Sequence, residues 1–461
     1  MKKEGESFMK IVIIGVGTIG KTILKTLTGE GHTITIVDED KDRVDALVNS
    51  YDIFGVVGNG ACMEIQKEAD MEHADLAMAL TGSDELNVFA CLVAKKIGVK
   101  NTIARVRNPE YREQIMQMRE ELGISMIVNP EKDTANEIFY MIQLPSIAKV
   151  EHFAKGRVLL VEIVVEKDCP LVGETLISLG KQLQTKVLVC AVQRGEAVTI
   201  PSGHFRIEEG DRIHFTANAS TLRYFLEEIQ LVNLPLKNIM IVGGNKIGFY
   251  LADELSKKKF DHSVKLIESD KNNADELAEL LPRVNLILGN GAQHSLLLEE
   301  GLEATDAFVA LTDTDEENMI ASMFANKCNV RKSIALIRSD DIGGMLRELG
   351  IQNTVSPKNI VANRVISYVR ALANKRGSNV LTLSRIVEGR VEALEFYAKT
   401  DEEFYNIPLK DLKLKPNCLV ACIIRNHEVL IPNGASVIKH GDNVVVVTTH
   451  KNFNDLSDIL A

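Results

Sequence analysis

The sequence predicts an α/β protein with two doubly wound parallel sheets, each followed by a small strand-rich α+β domain. Three features point there: a tandem repeat, short apolar runs alternating with helix-like windows, and a glycine-rich turn between the first run and the first helix. The repeat comes first because it sets the domain count. Gly58-Asn59-Gly60-Ala61 returns as Gly289-Asn290-Gly291-Ala292, a displacement of 231 residues. Residues 80–87 (LTGSDELN) return as 311–318 (LTDTDEEN), Ile200-Pro201-Ser202-Gly203 as Ile431-Pro432-Asn433-Gly434, and Gly210-Asp211 as Gly441-Asp442, all displaced by 231. Residues 11–20 match 239–248 at 228. A chain of 461 residues suggests about three domains, but the duplication predicts four.

Within the first copy, residues 10–15, 33–38, 52–57, 76–81 and 101–106 read as strands, with helix-like windows such as 21–27 and 87–97 between them. Short apolar strands separated by helices make a parallel sheet. From residue 158 the pattern turns strand-rich (158–165, 186–193, 197–200, 212–216), with turns at Pro201-Ser202-Gly203 and Glu209-Gly210-Asp211. Residues 132–142 and 359–372 read as connecting helices; Ile360, Val361, Val365, Ile366 and Val369 recur at helical spacing. Such a helix packs on its own domain or crosses to a neighbour. The expected domains are 9–131, a connecting helix and linker at 132–149, 150–232, 237–358, a second helix and linker at 359–377, and 378–461.

Composition excludes several classes. The net charge of −11 repels nucleic acid and anionic lipid. There is no Trp and only 5% aromatic residues, which argues against base or sugar stacking. No apolar run approaches the roughly 20 residues of a membrane span, so direct lipid insertion is not expected. The start Met1-Lys2-Lys3-Glu4-Gly5-Glu6 predicts no cleaved leader, and Met9 is an alternative start. Seven scattered cysteines read as buried free thiols of a reducing compartment.

Gly15-Val16-Gly17-Thr18-Ile19-Gly20 follows the first strand and opens the first helix. Gly15 allows the tight turn, Gly17 lets a pyrophosphate approach the backbone, and Gly20 lets helix and strand pack closely, with the diphosphate on the helix N-terminus. Asp38, at the end of the second strand, stands where a carboxylate takes the adenosine ribose hydroxyls. Together these define a Rossmann-like dinucleotide site. Glu39 and Asp40 follow, so a 2′-phosphate would meet three negative charges, which favours NAD(H) over NADP(H). Gly15 with Gly20-Lys21-Thr22 also fits the loop of ATP-hydrolysing proteins. That reading leaves Gly17 and Asp38 unexplained, and the second copy, Gly243-Gly244-Asn245-Lys246-Ile247-Gly248, lacks the Lys-Thr pair. The second copy keeps an acid, Glu268, but has Asn245 for the middle glycine, so it binds more weakly, binds another nucleotide or stays empty.

Other residues expected at the strand ends are Gly58-Asn59-Gly60, with the glycines leaving room for the ribose, and Thr81-Gly82, with a hydroxyl to donate. Arg105 either reaches a phosphate or forms a surface salt bridge. Gly289-Asn290-Gly291 and Thr312 are the repeat partners. No catalytic constellation emerges: there is no H-E-x-x-H, C-x-x-C or G-x-S-x-G, and no histidine at metal-ligand spacing with another ligand type. Two nucleotide domains without a catalytic domain read as a non-enzymatic sensor. The rivals are an NAD-dependent oxidoreductase, an ATPase and a regulator of another cation transporter.

As an ordered set, residues 15–20, Asp38, Gly58-Asn59-Gly60, Thr81-Gly82-Ser83-Asp84-Glu85, Ile103-Ala104-Arg105-Val106-Arg107 and the turns at 200–203 and 209–211 resemble the TrkA family, regulatory subunits of Trk potassium uptake systems. The resemblance runs from Met9 to the end. It implies NAD(H) in the first site, with ATP or ADP as alternatives, and a homo-oligomeric, tetrameric ring. That ring would sit in the cytoplasm beneath a membrane-embedded potassium transporter of the TrkH/TrkG kind and be peripheral to the membrane through that partner. It maps ligand contacts onto Gly15, Val16, Gly17, Thr18, Ile19, Asp38, Thr81, Gly82 and Arg105. In the second copy they fall on Gly243, Gly244, Asn245, Lys246, Ile247, Glu268 and Thr312, with Asn245 a departure from the pattern. It also implies that the connecting helices are crossover elements.

Overall fold

Apolar side chains cover both faces of the first strand, β1 (Lys10–Ile14), which is buried from Ile11 to Ile14, as a central parallel strand should be. In the computed structural model it joins β2 (Thr33–Asp38), β3 (Phe54–Val57), β4 (Leu76–Ala79), β5 (Asn101–Arg105) and β6 (Met126–Val128) in a six-stranded parallel sheet of order β3-β2-β1-β4-β5-β6. The structure describes residues 8–143, 147–153, 158–167, 169–229, 231, 236–257, 261–339, 346, 349–351, 353–374, 380–387, 390–399, 402–426, 428–451, 453 and 455–461. The start at residues 1–7 and the expected boundaries at 232 and 377–378 lie outside them.

The helices of this part are α1 (Thr18–Thr28), α2 (Lys41–Ser50), α3 (Met63–Glu68), α4 (Asp84–Ile97), α5 (Pro109–Met118) and α6 (Pro130–Gln143). Gly20, Ile23, Leu24 and Leu27 put one stripe of α1 against the sheet. Helices α1 and α4 begin three residues before the apolar windows that predict them. At α4 a polar cap marks the start: the Ser83 side chain accepts the Leu86 amide, with Asp84 and Glu85 at the positive end of the helix, whereas α1 starts at Gly17 with no side-chain cap.

The next part is a five-stranded antiparallel sheet, β10-β9-β11-β8-β7, made of β7 (Ile147–Phe153), β8 (Val158–Val164), β9 (Leu188–Arg194), β10 (Ala197–Thr199) and β11 (Arg212–Ala217), with helices α7 (Leu176–Gln182) and α8 (Ala219–Glu228). The second half repeats the plan. Its parallel sheet, β14-β13-β12-β15-β16-β17, holds β12 (Asn238–Val242), β13 (Ser263–Glu268), β14 (Asn285–Leu288), β15 (Ala307–Ala310), β16 (Lys332–Leu336) and β17 (Asn353–Val355). Its helices include α9 (Lys246–Leu255), α10 (Lys271–Leu280), α11 (His294–Glu299) and α12 (Asp315–Lys327); α13 (Pro357–Asn374) follows β17. The last sheet, β18-β19-β22-β20-β21, is antiparallel, with β18 (Val380–Ile386), β19 (Val391–Tyr397), β20 (Cys418–Arg425), β21 (Glu428–Leu430) and β22 (Asn443–Thr448).

The chain forms two compact units that pair like with like: Met1–Phe139 with Leu236–Ile366, and Tyr140–Pro235 with Ser367–Ala461. In the first unit, the start of α6 meets the second repeat. Asn129 donates to the Tyr250 hydroxyl at 3.3 Å, and Asp133 pairs with Arg364 of α13 at 2.6 Å.

In the second unit the two small sheets share a core, and strand alternation explains how. Leu159, Val161 and Ile163 face the first sheet's own core, whereas Val158 and Leu160 face a shared one. Likewise Val444 and Val446 serve the second sheet's own core, and Val445 and Val447 the shared one. The Thr216 hydroxyl donates to the Ala421 carbonyl across this layer, 3.0 Å away. Each small domain also carries the same pinned turn. Buried Asp211 receives Arg194 at 2.7 and 2.8 Å and the Glu208 amide at 2.9 Å, and Asp442 receives Arg425 and the Lys439 amide in the same way. Asp211→Ala or Asp442→Ala leaves those donors without their acceptor and is expected to cost ~2–3 kcal/mol, read as a lower denaturation midpoint.

Candidate nucleotide site

The strand order reverses between β1 and β4, and open α/β sheets bind ligands outside the carboxyl ends of such strands. Gly15 ends β1 at φ +86°, and its amide donates to the Val37 carbonyl at 2.8 Å. A Cβ on Gly15 would stand 2.8 Å from the Thr81 amide nitrogen, and one on Gly20 would stand 2.5 Å from the Gly15 carbonyl oxygen. These two glycines bring α1 hard against β1 and β4. Gly17 differs: it is exposed, extended, and a Cβ there would meet nothing within 4 Å. It caps α1 without a side chain, so no side chain takes the amides of the first turn. Thr18 is exposed, Ile19 half-buried and Val16 buried.

Asp38, at the end of β2, ties the loop down. Its Oδ2 accepts the Val16 amide at 2.9 Å, its Oδ1 accepts the Asp40 amide at 3.1 Å, and Arg43 bridges both oxygens at 3.1 and 3.2 Å. Arg43 also pairs with Asp40 at 3.0 Å. On the other side, buried Asn87 organises the loop after β4. Its Oδ1 accepts the Thr81 amide and hydroxyl, both at 2.8 Å, and its Nδ2 donates to the carbonyls of Thr81 and Arg105 at 3.2 and 3.0 Å. The Thr81 hydroxyl expected to face a ligand is therefore donated to Asn87.

Arg105, expected to reach a phosphate or to form a surface ion pair, is mostly buried. It donates to the Thr81 carbonyl, while its Nε has no partner. Burial lowers its pKa from the ordinary guanidinium value, and the like charge of Arg107 acts in the same direction. Among the described residues no carboxylate lies within ion-pair distance of it. Arg107 donates to the Gly82 carbonyl at 2.6 Å, and its amide donates to Asp84 at 2.8 Å. A Cβ on Gly82 would meet nothing within 4 Å. The observations that suit a phosphate group are thus the open space at Gly17 and Gly82, the uncapped helix start and the orphaned buried Nε of Arg105.

Four sequence expectations need correction. Gly58 and Gly60 make room for the protein itself, since a Cβ would stand 2.6 Å from Ile65 and 2.1 Å from Ile14; Gly289 and Gly291 repeat this against Leu296 and Val242. The free cysteines are not all buried: Cys62 is exposed and Cys328 half-buried. One histidine does fall beside other ligand types. A single helical turn after α3 brings the exposed residues Asp70, Glu72 and His73 together, and His73 hydrogen-bonds Asp70 at 2.5 Å while Lys10 pairs with Asp70. The fourth is the Thr81 hydroxyl. Lys21 and Thr22 are ordinary helix residues, with the Thr22 hydroxyl donated to the Thr18 carbonyl at 2.9 Å. His294 stacks on Phe324. Sequence reasoning missed Asn87 and Arg43. Asn87 recurs as Asn318 at the common displacement, a usable signal; Arg43 has no such repeat.

The second copy keeps the frame. Gly243 has φ +105°, a Cβ on Gly248 would stand 2.2 Å from the Gly243 carbonyl, and Gly244 donates its amide to Glu268 at 2.9 Å. Buried Glu268 also accepts Asn273 at 2.8 Å. Asn318 holds the Thr312 amide at 2.7 Å, and Arg338 donates to the Thr312 carbonyl at 2.9 Å. Asn245 is half-buried at the helix start, Lys246 exposed and Ile247 buried.

Fold and site together define a duplicated protein with dinucleotide-type α/β domains and paired small β-rich domains. The TrkA-N domain model matches residues 11–130 and 239–357, and the TrkA-C domain model matches 160–230 and 394–461. The Trk system potassium uptake protein TrkA of Vibrio alginolyticus is 32% identical over 460 residues, covering 98% of each chain. TrkA homolog 1 of Methanosarcina mazei is 31% identical over 446 residues, 95% of this chain and 97% of its own. The chain belongs to the TrkA family. Membership sets it apart from the dehydrogenases that share its parallel fold and places it among regulatory subunits and not enzymes. Among solved structures, the GsuK channel bound to NAD superposes with a TM-score of 0.64 at 17% identity, over 97% of this chain and 78% of that one. The GsuK RCK domain gives 0.63 at 16%, over 97% and 93%. At such identities the likeness is one of fold.

Asn87 joins the two strand ends that flank this site. Asn87→Ala strands the Thr81 amide and the Arg105 carbonyl and is expected to destabilise the protein by ~2–3 kcal/mol, measured as a lower thermal midpoint.

Proposed function

We propose that the chain is the nucleotide-sensing subunit of a potassium uptake transporter, with NAD(H) bound at the end of β1 in the first half. The reading is supported by the uncapped start of α1 and the open space at Gly17, together with the buried, unpaired Nε of Arg105, whose guanidinium holds the Thr81 carbonyl beside Gly15. The diphosphate would take the amides of Thr18 and Ile19 and the Arg105 guanidinium. The adenosine ribose would meet Asp38 by displacing Arg43, which Asp40 can retain. ATP or ADP would use the same phosphate seat. The names of the TrkA relatives and the NAD-bound GsuK channel support this reading.

The proposed partner is a membrane-embedded potassium transporter of the TrkH/TrkG kind, met by a tetrameric ring of this chain on the cytoplasmic face. Among the described residues no helix is long and apolar enough to cross a membrane, and a surface of net charge −11 suits attachment through a protein. The proposed domains are those expected from the sequence, 9–131, 150–232, 237–358 and 378–461, with a helix and linker at 132–149 and 359–377, except that β7 (Ile147–Phe153) moves the start of the first small domain back to Ile147. Coupling would run through Arg107. Its side chain holds the Gly82 carbonyl, and its own carbonyl accepts the Tyr250 hydroxyl of α9 at 3.0 Å. A nucleotide that shifts the Thr81–Gly82 loop would therefore pull on α9. It biases a transporter only if it binds two arrangements of the ring with different affinity, with ~1–3 kcal/mol typical.

Isothermal titration tests the site. Asp38→Ala and Arg105→Ala should each weaken NADH binding at least tenfold, and wild-type protein that takes up neither NADH nor adenine nucleotide overturns the proposal. Hydrogen exchange tests the coupling. NADH should slow exchange in residues 246–255 of the wild type and leave them unchanged in Tyr250→Phe, while the affinity stays within about twofold; equal protection in both proteins removes Tyr250 from the path. Co-purification from the native host identifies the transporter, and a sodium/proton antiporter in its place would redirect the reading to another ion.

A further inference from the structure

We infer that the second crevice is occupied by the chain's own Asn245, so that each chain takes one dinucleotide, in the first crevice. This rests on the first crevice being the dinucleotide site. The two helix starts have the same backbone: Gly17 at φ −66°, ψ −164°, and Asn245 at φ −66°, ψ −179°. What differs is the side chain. The Asn245 Oδ1 accepts the amides of Ile247 and Gly248 at 3.0 and 3.2 Å, and its Nδ2 donates to the Leu311 carbonyl. The carboxamide thus supplies the acceptor that a phosphate oxygen would bring to the first turn of α9, and it is anchored from behind by the strand that ends at the same crevice.

The surrounding charges changed with it. Asn87 donates to the Arg105 carbonyl and Asn318 donates to the Leu336 carbonyl, so Leu336 stands where the first copy has Arg105. Asn273 donates to Glu268 as Arg43 does to Asp38. Two cations of the first crevice are therefore a buried leucine and a neutral amide in the second, where Arg338, the counterpart of Arg107, makes to the Thr312 carbonyl the contact that Arg105 makes to that of Thr81. Lys246, at the first position of α9, is an exposed cation with Thr18 as its first-copy counterpart. It does not reopen the seat, because the amide of Ile247, the counterpart of Ile19, and that of Gly248 are already taken. The other frame elements survive: Gly243, Gly248, the acid at the end of the second strand and the buried asparagine of α12. The second half keeps the architecture of a dinucleotide site while supplying its own acceptor.

A reciprocal exchange tests this. Gly17→Asn places the second copy's residue in a backbone of matching conformation, where a Cβ meets nothing within 4 Å. It should fold normally and weaken NADH binding at least tenfold by titration calorimetry. Asn245→Gly with Leu336→Arg should raise the stoichiometry from one NADH per chain to two. The wild-type stoichiometry needs no variant. One NADH per chain, lost in Gly17→Asn, supports the inference. Two per chain overturns it and leaves the proposed function standing, whereas none overturns both. Wild-type affinity in Gly17→Asn, or a stoichiometry still at one in a folded Asn245→Gly/Leu336→Arg protein, removes Asn245 as the occupant.

Discussion

The carbonyl oxygen of Gly15 lies 2.5 Å from where a Cβ of residue 20 would stand, and the character of the first crevice follows from that approach. It sets the first turn of α1 directly at the end of β1, so the helix's unsatisfied amides point to the place where the sheet order reverses. Thr81 comes within a Cβ's reach of Gly15 from the other side, and Asn87 locks Thr81 there. The same approach recurs at Gly243 and Gly248, down to the buried asparagine. The frame is a packing solution before it is a binding site, which explains how the second half can keep it with Asn245 in the seat.

Duplication also explains how the units are built. Helices α6 and α13 hold the same place in the two copies, and Asp133 of one pairs with Arg364 of the other. Such contacts arise at a two-fold axis, here an approximate one within a single chain. Covalent tandem copies can diverge, and here the two helices join through opposite charges at 2.6 and 2.7 Å. The small sheets use the apolar version of this arrangement, pressing alternate side chains of both copies into one shared core.

Much of this was legible in the sequence for physical reasons. Parallel strands buried on both faces make short apolar runs, glycines forced by positive φ or close approach cannot drift, and a duplication checks each motif against itself. Gly15, Gly20 and Asp38 were readable on those grounds. The illegible part depends on side-chain reach. Gly58 and Gly60 look like ligand-facing glycines because close approach to Ile65 and close approach to a ribose demand the same residue. Arg43 reaches Asp38 from the following helix, and no spacing rule marks it. Arg105 could be read as a phosphate ligand or a surface ion pair until burial showed its Nε without a partner.

The divergence of the two crevices bears on how a sensor of this plan can work. A ligand shifts a conformational equilibrium only through its differential affinity for the two states. Two equal sites in each chain would both respond, and their pulls on the interface would add or cancel according to its near-symmetry. A self-occupied second half removes that ambiguity. α9 keeps its first turn satisfied whether or not nucleotide is present, and it offers the Tyr250 hydroxyl to the Arg107 carbonyl as a fixed reference. On the proposed reading, motion then arises on one side of the interface and is resisted on the other. In that arrangement, binding becomes displacement of one half against the other and is not absorbed by both.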